Sequence, residues 1–133
     1  LNSVFASESL GFDLSEFNSI TQSEFSLHLK QKPSYLSNPK NSFLINLYED
    51  QKIEKEEKVL RFEVTKTGLC IGLIQWLKIK IYDDIYYENK PGELQSHWPT
   101  PLYRFEKPIV LEKGDFIEIK AFLYEDDICF YKL

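Results

Sequence analysis

From residue 24 onward, apolar residues recur at every second position in short runs separated by turn-forming residues, and no helical period intervenes. Alternation of this kind covers one face of a strand and leaves the other in solvent. Phe25, Leu27 and Leu29 alternate with Ser26, His28 and Lys30; Phe43, Ile45 and Leu47 repeat the pattern. A charged connection over 50–58 leads to a strand at 59–64, which ends in the Lys66-Thr67-Gly68 turn. The longest strand expected spans 69–82, with Gly72 marking a bulge or a close backbone approach. Asp83-Asp84 and Asn89-Lys90-Pro91-Gly92 bracket a short strand at 85–87. Further strands are expected at 102–106, 109–111, 116–124 and 128–133, the last two joined by the acidic turn Glu125-Asp126-Asp127. Strands without interleaved helices predict an all-β fold, an antiparallel β-barrel or sandwich. Residues 1–23 are Ser-rich and irregular in their apolar spacing. They read as an arm or docking segment with at most one helical turn, at Asp13-Leu14-Ser15-Glu16-Phe17, and 24–133 reads as a single β domain.

Composition narrows the function classes. At 133 residues with 43% hydrophobic and 15% aromatic content, the chain buries a core rather than remaining disordered. Its net charge of −5 argues against nucleic acid, which is held by clustered Lys and Arg, and suits a basic peptide better. The apolar run at 69–76 is far too short to span a membrane and holds Gly72 and Gln75. Two cysteines, Cys70 and Cys129, lie in apolar runs with no metal-ligand spacing. They read as buried thiols in a reducing cytoplasm, so the expected location is cytoplasmic. The absence of Met and the leading Leu point to an excised or processed piece.

Motifs for catalysis are missing. There is no phosphate-cradling Gly-rich loop, no His-Glu-x-x-His and no Gly-x-Ser-x-Gly. His28 alternates with Leu27 and Leu29 and reads as a solvated residue without metal partners. The pairs Asp83-Asp84 and Asp126-Asp127 read as turn caps rather than acid/base dyads. The loop Ser96-His97-Trp98-Pro99-Thr100-Pro101 is different, because its prolines stiffen the presentation of an imidazole and an indole. From the residues alone, Trp98 either plugs the end of the β domain or lines a site.

The ordered set of pieces resembles the C-terminal β-barrel of the protein arginine methyltransferases. The His97-Trp98 loop, the strand and Pro108 that follow, and the Lys113-Gly114-Asp115 turn are similar to that family's Thr-His-Trp region. Leu10-Gly11-Phe12-Asp13-Leu14-Ser15 looks like the Tyr-Gly-Phe-Asp-x-Ser of its dimerisation arm, and Gly72 to Ile81 is similar to the strand region between them. The resemblance implies His97 and Trp98 as substrate-binding residues, His97 orienting and Trp98 walling an arginine pocket. It implies a dimer arm containing Gly11, Phe12, Asp13 and Phe17. S-adenosylmethionine would be bound by a Rossmann-like domain that this chain does not contain, together with the family's two guanidinium-gripping glutamates. The chain would therefore hold no cofactor and no catalytic residue itself, and its parent would be a homodimer acting on a protein or peptide substrate. Ser96 stands where the family usually has Thr, and Thr100 where Gln is common. The alternative is a free-standing β-sandwich module that binds a carbohydrate or peptide through Trp76, Trp98, Tyr82, Tyr86 and Tyr87. Many of those rings fall at strand positions where core packing is the simpler fate.

Overall fold

Period-two patterning becomes strands almost wherever it occurs. The computed structural model describes residues 5–20, 23–27, 32–47, 55–92, 98–125 and 127–133. Among them are β1 (Glu8–Ser9), β2 (Phe12–Asp13), β3 (Glu24–Leu27), β4 (Glu56–Glu63), β5 (Gly68–Ile74), β6 (Lys78–Tyr82), β7 (Ile85–Glu88), β8 (Thr100–Leu111), β9 (Phe116–Tyr124) and β10 (Asp127–Lys132). A 3-10 turn at Ser15–Ser19 is the sole helical element among the described residues. The sheets run β1-β2, β3-β8-β5, β6-β7 and β10-β9-β4. The fold is all-β and antiparallel, and no sheet closes into a barrel among the described residues. The chain divides into two compact units, Leu1–Ser34 with Ile71–Ile109, and Tyr35–Cys70 with Val110–Leu133.

In the second unit β9 is the central strand. It pairs antiparallel with β4 (Leu60 opposite Ile119, Phe62 opposite Ile117) and with β10 (Ile128 opposite Leu123, Phe130 opposite Ala121). Leu60, Phe62, Ile119, Ala121 and Leu123 fall on one face and are all buried. Each large aliphatic among them contributes about 1.5–3 kcal/mol by leaving water. The opposite face carries the charges, with ion pairs Lys120–Glu57 and Arg61–Glu118 bridging β9 to β4. The Lys113-Gly114-Asp115 turn is tied back to β4's end: Gly114 N–H donates to Val64 O, Val64 N–H to Asp115 O, and the Asp115 carboxylate accepts Glu112 N–H at 2.8 Å.

The first unit packs around Leu27 of β3 and Leu102 of β8, with Phe5, Phe25, Ile71 and Ile74 against them. Phe25 pairs with Leu102 and Leu27 with Thr100 across the antiparallel β3–β8 ladder. Gly72 has no room for a side chain, since a Cβ there would lie 2.2 Å from Tyr103 O on β8. It marks a close approach of backbones.

Four expectations need correction. Residues 69–82 are two strands, because at 75–77 the backbone leaves one ladder for another: Gln75 N–H bonds Pro101 O and Leu77 N–H bonds the Asn89 side chain. Conversely, 102–106 and 109–111 belong to one strand of 12 residues, β8, which runs through Pro101 and Pro108. Pro101 gives no N–H, yet its carbonyl still accepts Gln75 N–H, so the ladder survives there. The alternation at Phe43, Ile45 and Leu47 forms no strand, and Leu44 and Leu47 are exposed. Alternation names the face to be covered, not a neighbour to cover it. Finally, Cys70 and Cys129 are half-buried rather than buried, and neither is in a disulfide.

Candidate functional site

Trp98 lies two residues before β8, in the first unit. It is 53% exposed, and its ring meets Tyr87 of β7 edge-on, with centroids 5.5 Å apart and planes at 74°. Such T-shaped pairs align the positive ring edge with the negative face and are worth about 0.5–1.5 kcal/mol beyond burial. Tyr87 in turn stands opposite Ile79 in the β6–β7 ladder. The indole is thus seated against Tyr87 of the β6–β7 hairpin with about half of its surface exposed.

The backbone beneath Trp98 is braced by polar groups that would be costly to bury without partners. Asn89, following β7, is 3% exposed. Its side-chain oxygen accepts Leu77 N–H at 2.6 Å, and its own N–H donates to Leu77 O at 3.2 Å. Its amide nitrogen donates to Pro99 O at 3.4 Å, and its backbone oxygen accepts the Thr100 hydroxyl at 2.7 Å. Alongside, Trp76 Nε1 donates to Glu88 at 2.8 Å, Lys90 covers the Trp76 ring at 5.6 Å, and Tyr103 donates to Gln75 at 2.8 Å. Trp76 is consequently committed to structure.

Ser96 and His97 lie outside the described residues, as does His28. Of the expected substrate-binding pair, only Trp98 is placed. Among the described residues no cluster of three or more metal-ligating side chains occurs. Asp83 occupies the tip of the β6–β7 hairpin with a positive φ of 42°, a turn position in keeping with its expected role.

The arm is more structured than its irregular spacing implies. Leu10 and Gly11, both at positive φ (52° and 81°), make the tight turn of the β1–β2 hairpin. Asp13 then accepts Ser15 N–H at 2.9 Å and opens the 3-10 turn. The Ser15 backbone bond, aided by its hydroxyl, holds the Asp13 carboxyl below its ordinary value of 3.8. A depressed carboxylate lends stability above its unfolded pKa and loses it as pH falls through the folded one, so this turn loosens only in acid. Leu10 (96% exposed) and Phe12 (71%) point outward, together with Phe17 and Ile20.

Arg104 of β8, buried beside Thr100 and Leu102 on the same strand face, secures that arm. Its guanidinium donates to Asn18 O at 2.6 Å and lies 4.8 Å and 6.0 Å from the rings of Phe5 and Phe25. Asn18 is bonded in both directions to the Ala6 backbone at 2.8 Å. Sequence reasoning missed Asn89, Thr100 and Arg104 as organising residues. Asn89 reads as a turn former, and an Arg at an inward strand position is the one available signal for Arg104.

The expected aromatic platforms fare differently. Tyr82, Tyr86 and Trp98 are exposed rather than packed in the core. Lys78 covers the Tyr86 ring at 5.0 Å. In the second unit, a depression of about 370 Å³ is lined by Asn38, Lys40, Arg61, Glu63, Thr65 and Phe116, and Arg61 occupies the Phe116 face at 4.1 Å. No protein-family profile matches the chain, and no curated protein matches it.

Proposed function

We propose that this chain is the C-terminal β domain of an S-adenosylmethionine-dependent methyltransferase that acts on arginine in proteins, supplying the substrate-cleft wall and the dimer arm. One observation carries the reading: Trp98 is half-exposed, propped edge-on by Tyr87 and braced from below. An indole whose only task was to fill a core would be buried. A half-exposed ring held by its neighbours suits a flat cation, because a guanidinium gains about 0.5–2 kcal/mol over an indole face as water is excluded. The net charge of −5 favours a cationic acceptor. The cofactor, held on a separate Rossmann-like domain, supplies the methyl group. Trp98 orients the acceptor nitrogen and keeps water away, with His97 assigned the orienting partner role by the family resemblance. Catalysis of this kind depends mainly on positioning. The outward-facing Phe12 and Phe17 suit docking of the arm on a second subunit.

The competing carbohydrate or peptide module needs open ring faces for stacking. Lys78 over Tyr86 and Lys90 over Trp76 occupy two of those faces, which favours the methyltransferase reading. The test uses the full-length protein that carries this chain, an arginine-rich peptide and radiolabelled S-adenosylmethionine. Trp98→Ala is expected to lower kcat/KM for the peptide about tenfold while cofactor affinity stays unchanged. No methyl transfer to arginine by the wild type, or unchanged kinetics in the variant, overturns the proposal.

A further inference from the structure

We infer that Asn89 is the positioning residue of the Trp98 loop, with Thr100 as its counterpart, so that one buried amide sets the direction of an exposed indole. The argument starts at the end of the β6–β7 ladder. Lys78 pairs with Glu88, and the next pair outward is Leu77 with Asn89. A regular antiparallel pair would exchange two backbone bonds. Here Asn89 gives its N–H to Leu77 O, but Leu77 N–H goes to the Asn89 side-chain oxygen. The Asn89 backbone carbonyl is thereby released, and it accepts the Thr100 hydroxyl. The amide nitrogen bonds Pro99 O. The residue following Trp98 and the one after that are both held by Asn89.

Few side chains meet these demands. The position needs an acceptor toward Leu77 and a donor toward Pro99 on one short, planar group. Aspartate offers acceptors only, and would bury a charge beside the Pro99 oxygen. Glutamine carries an extra methylene into a site that is 3% exposed. Leucine has the same branching but is bulkier and not planar, and it offers neither backbone group a partner. At Thr100, which is 1% exposed, serine preserves the bond and valine preserves the shape. Those two substitutions therefore separate hydrogen bonding from packing.

The structural statement stands alone, and only its kinetic consequence rests on the methyltransferase reading. The chain has two tryptophans, so Trp76→Phe leaves Trp98 as the sole indole, excited selectively over the tyrosines at the red edge of absorption. In that background, iodide quenching of Trp98 is measured for Thr100→Val, Thr100→Ser and Asn89→Ala. Loss of the brace is expected to increase the quenching constant about twofold in Thr100→Val and Asn89→Ala, with Thr100→Ser matching the parent. Amide exchange at 71–74, in the same unit, and in β9 of the other should be unaltered, which a loss of stability in either unit would not allow. Should Asn89→Ala fail to fold, Thr100→Val against Thr100→Ser decides alone. Unchanged quenching in folded Thr100→Val overturns the inference. In the full-length protein, Thr100→Val should raise KM for the arginine peptide about fivefold with cofactor affinity unchanged. A loosened Trp98 in a protein that never methylates arginine would refute the proposed function and leave this positioning role intact.

Discussion

Gly72 shows how a single missing atom can set the spacing of two strands. Because a Cβ at this position would lie 2.2 Å from Tyr103 O and 3.0 Å from Arg104 Cα, the obstruction is backbone and cannot swing aside. Gly72→Ala should therefore destabilise the first unit by about 1–3 kcal/mol or more, despite the better strand propensity of alanine. A urea melt shifted by less than about 0.5 kcal/mol, the range of neutral surface changes, would show that β5 and β8 have room to part. The sequence carried this feature, since an isolated Gly inside an apolar run signals either a bulge or close approach. It could not carry Asn89. A buried asparagine whose side chain and backbone each make two bonds depends on where three strand ends meet, and an Asn-Lys-Pro-Gly string reads as a turn whichever way its first side chain faces.

Among the elements, β8 is the organiser of the first unit. Its inward face presents Thr100, Leu102 and Arg104 in turn, an anchor for the Trp98 loop, a core residue and an anchor for the arm. Arg104→Ala removes the donor to Asn18 O and the cation between Phe5 and Phe25, and is expected to cost about 2–4 kcal/mol. The check is hydrogen exchange: amides of 5–20 should exchange at least tenfold faster, a change of about 1.4 kcal/mol in local opening, while β9 and β10 stay protected. Equal protection of the arm in the variant would show that Arg104 is not its fastening. Period-two patterning and bracketing turn residues located β3, β4, β7, β9 and β10 to within a few residues, most firmly β4 and β9, where buried and exposed positions alternate. It misjudged the rest for two reasons. Apolar continuity over 69–82 concealed a change of pairing partner, and prolines at 101 and 108 looked like breaks in a strand that tolerates them.

For the whole molecule, the telling property is how much apolar surface faces outward. Leu10, Phe12, Ile20, Leu44, Leu47, Val110 and Tyr131 are all exposed, on both compact units. On the proposed reading, another protein covers part of this apolar surface. The chain by itself should therefore enhance the fluorescence of an apolar dye and self-associate with rising concentration. Co-expression with the Rossmann-like domain expected of its parent should suppress both. A monodisperse monomer that leaves the dye dark would remove this support for a missing companion. Such a property is nearly invisible in composition, because 43% hydrophobic content is compatible with a fully closed core.

Arg104's grip on Asn18 and Phe5 carries a practical warning for anyone trimming the gene. Deleting the first twenty residues looks like a sensible remedy for an oily, sticky leader. The cut would instead strip a buried guanidinium of its carbonyl acceptor on Asn18 and of the Phe5 ring, so the shortened product should express worse than the chain it was meant to improve.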